Sequence, residues 1–214
     1  MYIAVTLVTA YLLGSVLPAE WFARARGIDI RAVGTRNPGT TNALQELGFV
    51  PGLVTGAYDA SVGLVSMYLA YRSGLGAGWM YVAGLFAVLG HCFPLFSRFR
   101  GGQGMAATSA MLLYAMAVAL GRGWLTANGI ALLAVLAILV FALTRSATDV
   151  GVVVAPLLVL ELLVGRPEWL FGTFAVALAT HIWLTQLWIA RANHLFRLVA
   201  PVRDRLAKMH APTH

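Results

Sequence analysis

Seven apolar segments constrain this chain more than any other feature of its sequence. They run near 2–22, 52–71, 79–97, 104–120, 124–143, 150–165 and 168–190. A helix of about 20 mostly apolar residues crosses the roughly 30 Å hydrocarbon core of a bilayer. Because backbone groups in lipid must be hydrogen-bonded internally, and because no alternating barrel pattern occurs, we expect these segments to be helical. The predicted fold is an all-α polytopic membrane protein with seven transmembrane helices.

Composition points to the same solvent. Hydrophobic residues make up 60% of the 214 positions and charged residues 11%, whereas soluble globular chains are nearer half apolar and a quarter charged. The first segment has no basic region before it and no small-residue cleavage site after it, so we interpret it as a retained span rather than a signal peptide. We therefore expect residues 1–214 to form one integral membrane domain.

The cationic residues fall into two unequal sets of connections. Three of the fifteen belong to one set: Arg72, Arg122 and Arg166. The other twelve are Arg24, Arg26, Arg31, Arg36, Arg98, Arg100, Arg145, Arg191, Arg197, Arg203, Arg205 and Lys208. Because cytoplasmic loops are enriched in Lys and Arg, we expect the larger set inside, the N-terminus outside and 191–214 as a cytoplasmic tail. The net charge of +7 is thus interpreted as membrane orientation, and no nucleic-acid partner is predicted.

A glycine-rich loop, "RGGQGMAAT", precedes the fourth segment on the predicted cytoplasmic face. Gly101, Gly102 and Gly104 let backbone N–H groups approach a ligand, and a following helix N-terminus favours an anion. Arg98 and Arg100 add positive charge. A tight turn with basic anchors explains the loop as well, so both interpretations stay open here. The longer phosphate loop that ends in Gly-Lys-Ser/Thr is absent, so nucleoside triphosphate binding is unsupported.

A second polar stretch, "GTRNPGTTN", separates the first two segments. It carries three hydroxyls and two amides, from Thr35, Thr40, Thr41, Asn37 and Asn42. Asn42, with Gln45 three residues later, predicts the N-cap of a helix that starts near Ala43. Capping explains one residue of this stretch and leaves the rest of its polarity unexplained.

Few ionisable side chains lie within the apolar segments. For His91 and His181 the simpler interpretation is a hydrogen bond to a neighbouring helix. Asp59 is a functional candidate because it is an acid within a membrane segment, although it equally suits a contact between two helices. The one cysteine, Cys92, excludes an intrachain disulfide, and no Cys/His spacing fits zinc. No metal or other cofactor is predicted, and the residues alone identify no nucleophile.

Five blocks, taken in order, resemble the PlsY family of bacterial membrane acyltransferases. They read "GSVL…GIDIRAVGTRNPGTTNALQELG", "YDASVG", "LGHCFPLFSRFRGGQGMAAT", "TRSATDVG" and "RANHLFRL", and they span nearly the whole chain. Family members move a fatty acyl group from acyl phosphate to glycerol 3-phosphate. The resemblance implies a multi-pass protein of the bacterial inner membrane with seven spans and a cytoplasmic active site, in agreement with the charge distribution.

Carried over position by position, the resemblance implies a set of site residues. Substrate and phosphate binding is expected of Arg36, Gly39, Thr41, Asn42, Arg100, Gly101, Gly102, Gln103, Gly104, Arg145, Arg191 and Asn193. Contributors to catalysis are expected among Thr35, Asn37, His91 and Thr148. The family chemistry is direct attack of the acceptor hydroxyl on the acyl carbonyl, with the leaving phosphate able to take the proton.

Three positions depart from the cations of the family pattern. Gln45 stands in place of an Arg, and Gln103 and Val62 each stand in place of a Lys, while Arg36 is a new cation. A hydrogen bond to a charged group contributes roughly 1.5–3 kcal/mol, or about ten- to a hundredfold in affinity. The departures therefore bear on which acceptor the protein binds.

Acyl transfer to the sn-1 hydroxyl of glycerol 3-phosphate, which makes lysophosphatidic acid for phospholipid synthesis, is the leading hypothesis. One alternative keeps the acyl phosphate donor but uses a less anionic acceptor. Another is a catalytically inactive relative that binds membrane lipid. A transporter is disfavoured because the polar segments concentrate on one face and no internal repeat occurs.

Overall fold

A computed structural model describes residues 2–144, 153–154, 156–158, 160–161, 169 and 171–189. Within these residues the chain forms helices and no strand, which confirms the all-α prediction. The helices are α1 (Tyr2–Gly14), α2 (Pro18–Arg24), α3 (Thr40–Leu47), α4 (Phe49–Arg72), α5 (Ala77–Cys92), α6 (Met105–Gly121), α7 (Ala127–Thr144) and α8 (Phe171–Ile189). A short 3₁₀ turn, Leu95–Ser97, follows α5.

Three of the helical segments are long and apolar enough to cross a membrane. These are α4, α5 with its 3₁₀ extension, and α8, and a fourth results if α1 and α2 form one bent span. The apolar helices Met105–Gly121 and Asn128–Leu143 are shorter. Most of the predicted segment 150–165 and the whole tail 191–214 lie outside the described residues. The seven spans and the orientation therefore stay predictions.

The first apolar segment is not the single continuous helix expected from its sequence. α1 and α2 meet at an angle of 42°, and Leu17 between them is extended at φ −119° and ψ 93°. Pro18 causes the break, because proline suits the first position of a helix but restricts the residue before it to extended backbone. Next to the break, the hydroxyl of Tyr58 on α4 donates to the carbonyl of Leu13 at 2.7 Å.

An apolar core joins α4, α5, α6 and α8. Met111 of α6 and Leu178 of α8 are fully buried within it. α1 lies against α5 at close range, since a Cβ added at Gly90 would stand 2.1 Å from the carbonyl oxygen of Tyr11. Small residues of this kind allow membrane helices to approach closely. The packing of α4 on α5 brings Asp59 and His91 together at one end of the bundle.

Candidate active site

Asn42 organises the polar loop that precedes α3. Its side chain is buried, and its Oδ1 accepts the backbone N–H of Thr35 at 2.8 Å. Its Nδ2 donates to the carbonyls of Ile30 and Val33 at 2.9 and 3.2 Å. Three hydrogen bonds from one side chain thus fix the path of the loop before it reaches the candidate site.

The predicted N-cap role of Asn42 is wrong. α3 begins at Thr40, and the residue before the helix is Gly39, which is extended and makes no side-chain cap. Asn42 lies inside the first turn and points back at the loop, because its amide can satisfy backbone groups there that a helical cap would leave unpaired. The capping pattern therefore identified a structural residue but gave it the wrong partner.

The glycine loop packs on the C-terminal end of α5. The N–H of Gly102 donates to the carbonyl of His91 at 3.0 Å. A Cβ added at Gly101 would stand 2.1 Å from that same oxygen, and one added at Gly102 would stand 2.4 Å from Nε2 of His91. These two glycines are required by close packing against His91. Gly104 then precedes α6 in the left-handed conformation, with φ +67°.

An ionic network ties the glycine loop to the polar loop. The guanidinium of Arg31 donates to the carbonyl of Arg100 and lies 3.2 Å from a carboxylate oxygen of Glu20. Glu20 also accepts hydrogen bonds from Ser97 and Arg24. Because Glu20 is buried and its charge is paired, the network fixes both loops to the start of α2.

A cavity of about 690 Å³ opens between these two loops. Seven of the predicted site residues line it, namely Thr35, Asn37, Gly39, Thr41, His91, Gln103 and Gly104. The other described part of the wall is largely apolar and comes from Met105 and Ala106 of α6 and from Trp188 and Ile189 of α8. The cavity therefore joins a polar region at the loops and the α6 N-terminus to an apolar wall between two helices.

Asp59 and His91 face each other in the wall of the cavity. Their side chains are almost fully buried, and Oδ1 of Asp59 lies 3.7 Å from Nδ1 of His91. The hydroxyl of Thr40 lies 3.5 Å from Oδ2 of Asp59. Asp59 and Thr40 both line the cavity but were missing from the predicted site. The signal for Asp59 was its position within an apolar segment, since acids are rare there.

Other predicted site residues lie outside the cavity lining. Among the described residues these are Arg36, Asn42, Arg100, Gly101 and Gly102; the first and third are exposed, and the rest support the loops. The predicted residues Arg145, Thr148, Arg191 and Asn193 are outside the described part of the chain. Within the described part, no three His, Cys, Asp or Glu side chains come together in a way that suits a metal ion.

The three positions that lack a family cation have different surroundings. Gln103 lines the cavity. Gln45 is exposed on α3 and does not line the cavity. Val62 is buried in the core shared by α4, α5, α6 and α8. Only at Gln103, therefore, does a described contact with the cavity accompany the loss of charge.

Comparison with known proteins identifies the family. The glycerol-3-phosphate acyltransferase family model matches residues 4–200. The chain belongs to the glycerol-3-phosphate acyltransferase family. It is a membrane acyltransferase, and the resemblance seen in its sequence blocks is confirmed.

Relatives with this family name include bacterial proteins of similar length. A glycerol-3-phosphate acyltransferase of Thermus thermophilus is 38% identical over 205 residues, which cover 95% of this chain and 94% of that protein. Glycerol-3-phosphate acyltransferase 1 of Deinococcus radiodurans is 43% identical over 106 residues, which cover 50% of this chain and 54% of that protein.

The fold matches solved structures of the integral membrane glycerol 3-phosphate acyltransferase PlsY. The form with glycerol 3-phosphate is 25% identical, has a TM-score of 0.67, and aligns over 94% of each chain. The form with lysophosphatidic acid has a TM-score of 0.64 and aligns over 94% of this chain and 93% of the other. The similarity thus extends over nearly the whole of both proteins.

Proposed function

We propose that this acyltransferase moves a fatty acyl group from acyl phosphate to the sn-1 hydroxyl of glycerol 3-phosphate, forming lysophosphatidic acid and inorganic phosphate. The observation that carries the proposal is the composition of the cavity wall. Hydroxyl, amide and backbone groups lie at the loops, and Met105, Ala106, Trp188 and Ile189 supply an adjoining apolar wall. A substrate with a phosphate head and a fatty chain needs both kinds of surface in one space.

The phosphate groups lie at the polar end of the cavity in this proposal. Thr35, Asn37 and Thr41 offer hydrogen bonds there, and the start of α6 adds the positive end of a helix dipole. Arg36 and Arg100 contribute positive charge from the two loops, and Arg145, Arg191 and Asn193 are proposed as further ligands. Asn42, Gly101 and Gly102 act through the loops they hold.

The reaction needs positioning more than activation, because acyl phosphate is already a reactive anhydride. The sn-1 oxygen attacks the acyl carbonyl, the new ester bond forms, and the carbonyl carbon releases phosphate. Holding the two substrates in line contributes most of what a bimolecular reaction lacks. Hydrogen-bond donors directed at the developing oxyanion stabilise the transition state, and Thr35, Asn37 and Thr148 are the proposed donors.

The site is proposed to face the cytoplasm of a bacterial cell, beneath seven spans with the N-terminus outside. Two exposed positions at opposite ends of α4 test this arrangement, Glu46 just before it and Ser73 just after it. In whole cells, a membrane-impermeant maleimide is expected to label Ser73→Cys directly and Glu46→Cys only after permeabilisation. The unchanged protein, with Cys92, sets the background. Labelling of Glu46→Cys in intact cells would reverse the orientation.

The function is tested with the purified protein in detergent. Acyl phosphate and glycerol 3-phosphate are expected to give lysophosphatidic acid and phosphate in equal amounts. Acyl-CoA and acyl carrier protein thioesters, offered at the same concentration, are expected to give no product above background. Turnover with a thioester but not with acyl phosphate would overturn the donor assignment.

One observation favours a second candidate, an acceptor with less negative charge. No Lys or Arg is found among the described residues that line the cavity, and Gln103 holds a position where the family pattern has a cation. The same assay with glycerol in place of glycerol 3-phosphate separates the candidates. A higher kcat/KM for glycerol would support the second, and no turnover with either acceptor would indicate an inactive relative that binds lipid.

A further inference from the structure

We infer that His91 takes the proton from the attacking hydroxyl of the acceptor, and that Asp59 holds the His91 ring in the state that can accept it. The inference rests on the proposed acyl transfer and adds a base to it. It differs from the family expectation that the leaving phosphate takes the proton directly. His91 is thus a catalytic residue in this proposal, and Asp59 is a positioning residue.

The first step of the argument is the geometry of the pair. Asp59 is 2% exposed and His91 is 4% exposed, yet Oδ1 of Asp59 and Nδ1 of His91 make no hydrogen bond and face each other across 3.7 Å. A buried polar atom without a partner costs roughly 1–3 kcal/mol. Catalytic hydrogen bonds are commonly long before substrate binds. A small rotation of either side chain makes each atom the partner of the other.

The second step is the proton on the ring. A carboxylate facing Nδ1 stabilises the tautomer with hydrogen on Nδ1, which leaves the lone pair on Nε2. Nε2 and Cδ2 form the ring edge nearest to Gly102, since a Cβ added there would stand 2.4 and 3.0 Å from them. The same Cβ would stand 3.4 Å from Oδ1 of Asn37, which lines the cavity. The lone pair therefore lies on the side of the ring toward the two site loops.

The third step is the balance of the reaction. The acceptor oxygen forms a bond to the acyl carbonyl carbon while its proton passes to Nε2 of His91. The tetrahedral intermediate then breaks its bond to the phosphate oxygen, and Nε2 returns the proton to the leaving phosphate. The ring ends neutral, and the products are the acyl ester and inorganic phosphate. A base positioned in this way typically contributes 10²–10⁴-fold to the rate.

The groups around the pair leave Asp59 as its one described acid. His181 of α8 approaches from the glycine-loop side and contacts the carbonyl of Gln103. Cys92 follows His91, and the hydroxyl of Tyr58 is directed at the Leu13 carbonyl. Because His91 must be neutral to act as a base, acidification lowers the rate by protonating the ring.

Activity variants test the role of each residue. His91→Gln keeps an amide at the site but cannot accept a proton, so we expect kcat to fall about 10²-fold or more with the KM for glycerol 3-phosphate changed less than threefold. The acid limb of the pH profile is expected to disappear. Asp59→Asn is expected to lower kcat about tenfold or more and to keep that limb. The matched control is Ser66→Ala, which removes another buried, unpartnered hydroxyl from α4 outside the cavity lining.

A spectroscopic measurement keeps the inference testable without activity. In ¹⁵N spectra of histidine-labelled protein in detergent, the signal lost in His91→Gln is expected to report hydrogen on Nδ1. Asp59→Asn is expected to shift it toward the Nε2–H form. An Nε2–H ring in the unchanged protein, or a folded His91→Gln variant that keeps kcat within threefold, would overturn the inference. An inactive wild-type protein with the Nδ1–H ring would instead count against the proposed function alone.

Discussion

The imidazole Nε2 of His181 lies 2.9 Å from the carbonyl oxygen of Gln103. This contact joins α8 to the glycine loop across 78 positions of sequence. It also directs the carbonyl toward α8. Because a carbonyl oxygen repels a phosphate, this orientation favours an anionic substrate at the opposite side of the loop.

The contact predicts the effect of His181→Phe, which keeps an aromatic ring and removes the hydrogen bond. A lost hydrogen bond costs about 0.5–1.5 kcal/mol, so we expect the KM for glycerol 3-phosphate to rise about two- to tenfold with a smaller change in kcat. Steady-state kinetics measure both. Thr180→Ala, at the exposed preceding position of α8, is the control. An unchanged KM in His181→Phe would show that the contact does not position the loop.

Gly102 is the position where the smallest side chain is expected to do the most damage. In Gly102→Ala the new Cβ would stand 2.4 Å from Nε2 of His91, so either the loop or the ring must move. We expect more than a hundredfold loss of kcat/KM. Gly121→Ala is the matched control, because a Cβ at Gly121 meets nothing within 4 Å, and its activity is expected to stay within twofold. Equal activity of both variants would contradict the packing argument.

Asn42 predicts a loss of stability rather than a loss of chemistry. Asn42→Ala removes three hydrogen bonds from buried backbone groups, and each group left unpaired costs roughly 1–3 kcal/mol. We expect a lower midpoint of thermal unfolding in detergent and a polar loop that is cut faster by protease. Gln45→Ala changes an exposed residue of the same helix and is expected to leave both unchanged. If the two variants unfold alike, Asn42 does not hold the loop.

The same residue shows what the sequence was able to predict. Hydropathy and turn composition identified the helices and the two loops, because those signals depend on local solvent and backbone preference. The partners of Asn42 depend on how the chain folds back from residue 30 to residue 42, and no local pattern contains that path.

The cavity illustrates a second limit. Seven predicted residues line it, since family blocks carry site residues as short motifs. Asp59 and Thr40 join them through the packing of α4 on α3 and α5, and their 3.5 Å contact spans 19 positions. The bend at Pro18 was visible as a proline, but its effect on a membrane helix depends on what replaces the lost hydrogen bonds.

Gln103→Lys tests whether missing charge limits the use of glycerol 3-phosphate. Gln103 lines the cavity at the start of α6, so a Lys there adds a cation next to the proposed phosphate site. A charge-assisted hydrogen bond contributes roughly 1.5–3 kcal/mol, and we expect the KM for glycerol 3-phosphate to fall about tenfold or more. Salt is expected to weaken this gain because it screens the new charge.

The matched control for Gln103→Lys is Gln45→Lys, which adds the same charge at an exposed position outside the cavity lining. If net charge alone attracts the substrate, the two variants improve alike, and the argument from the cavity fails. If the local contact matters, only Gln103→Lys improves, and the KM for glycerol stays unchanged because glycerol carries no phosphate. A rise in the KM for glycerol 3-phosphate in Gln103→Lys would mean that the carboxamide of Gln103 itself binds the acceptor.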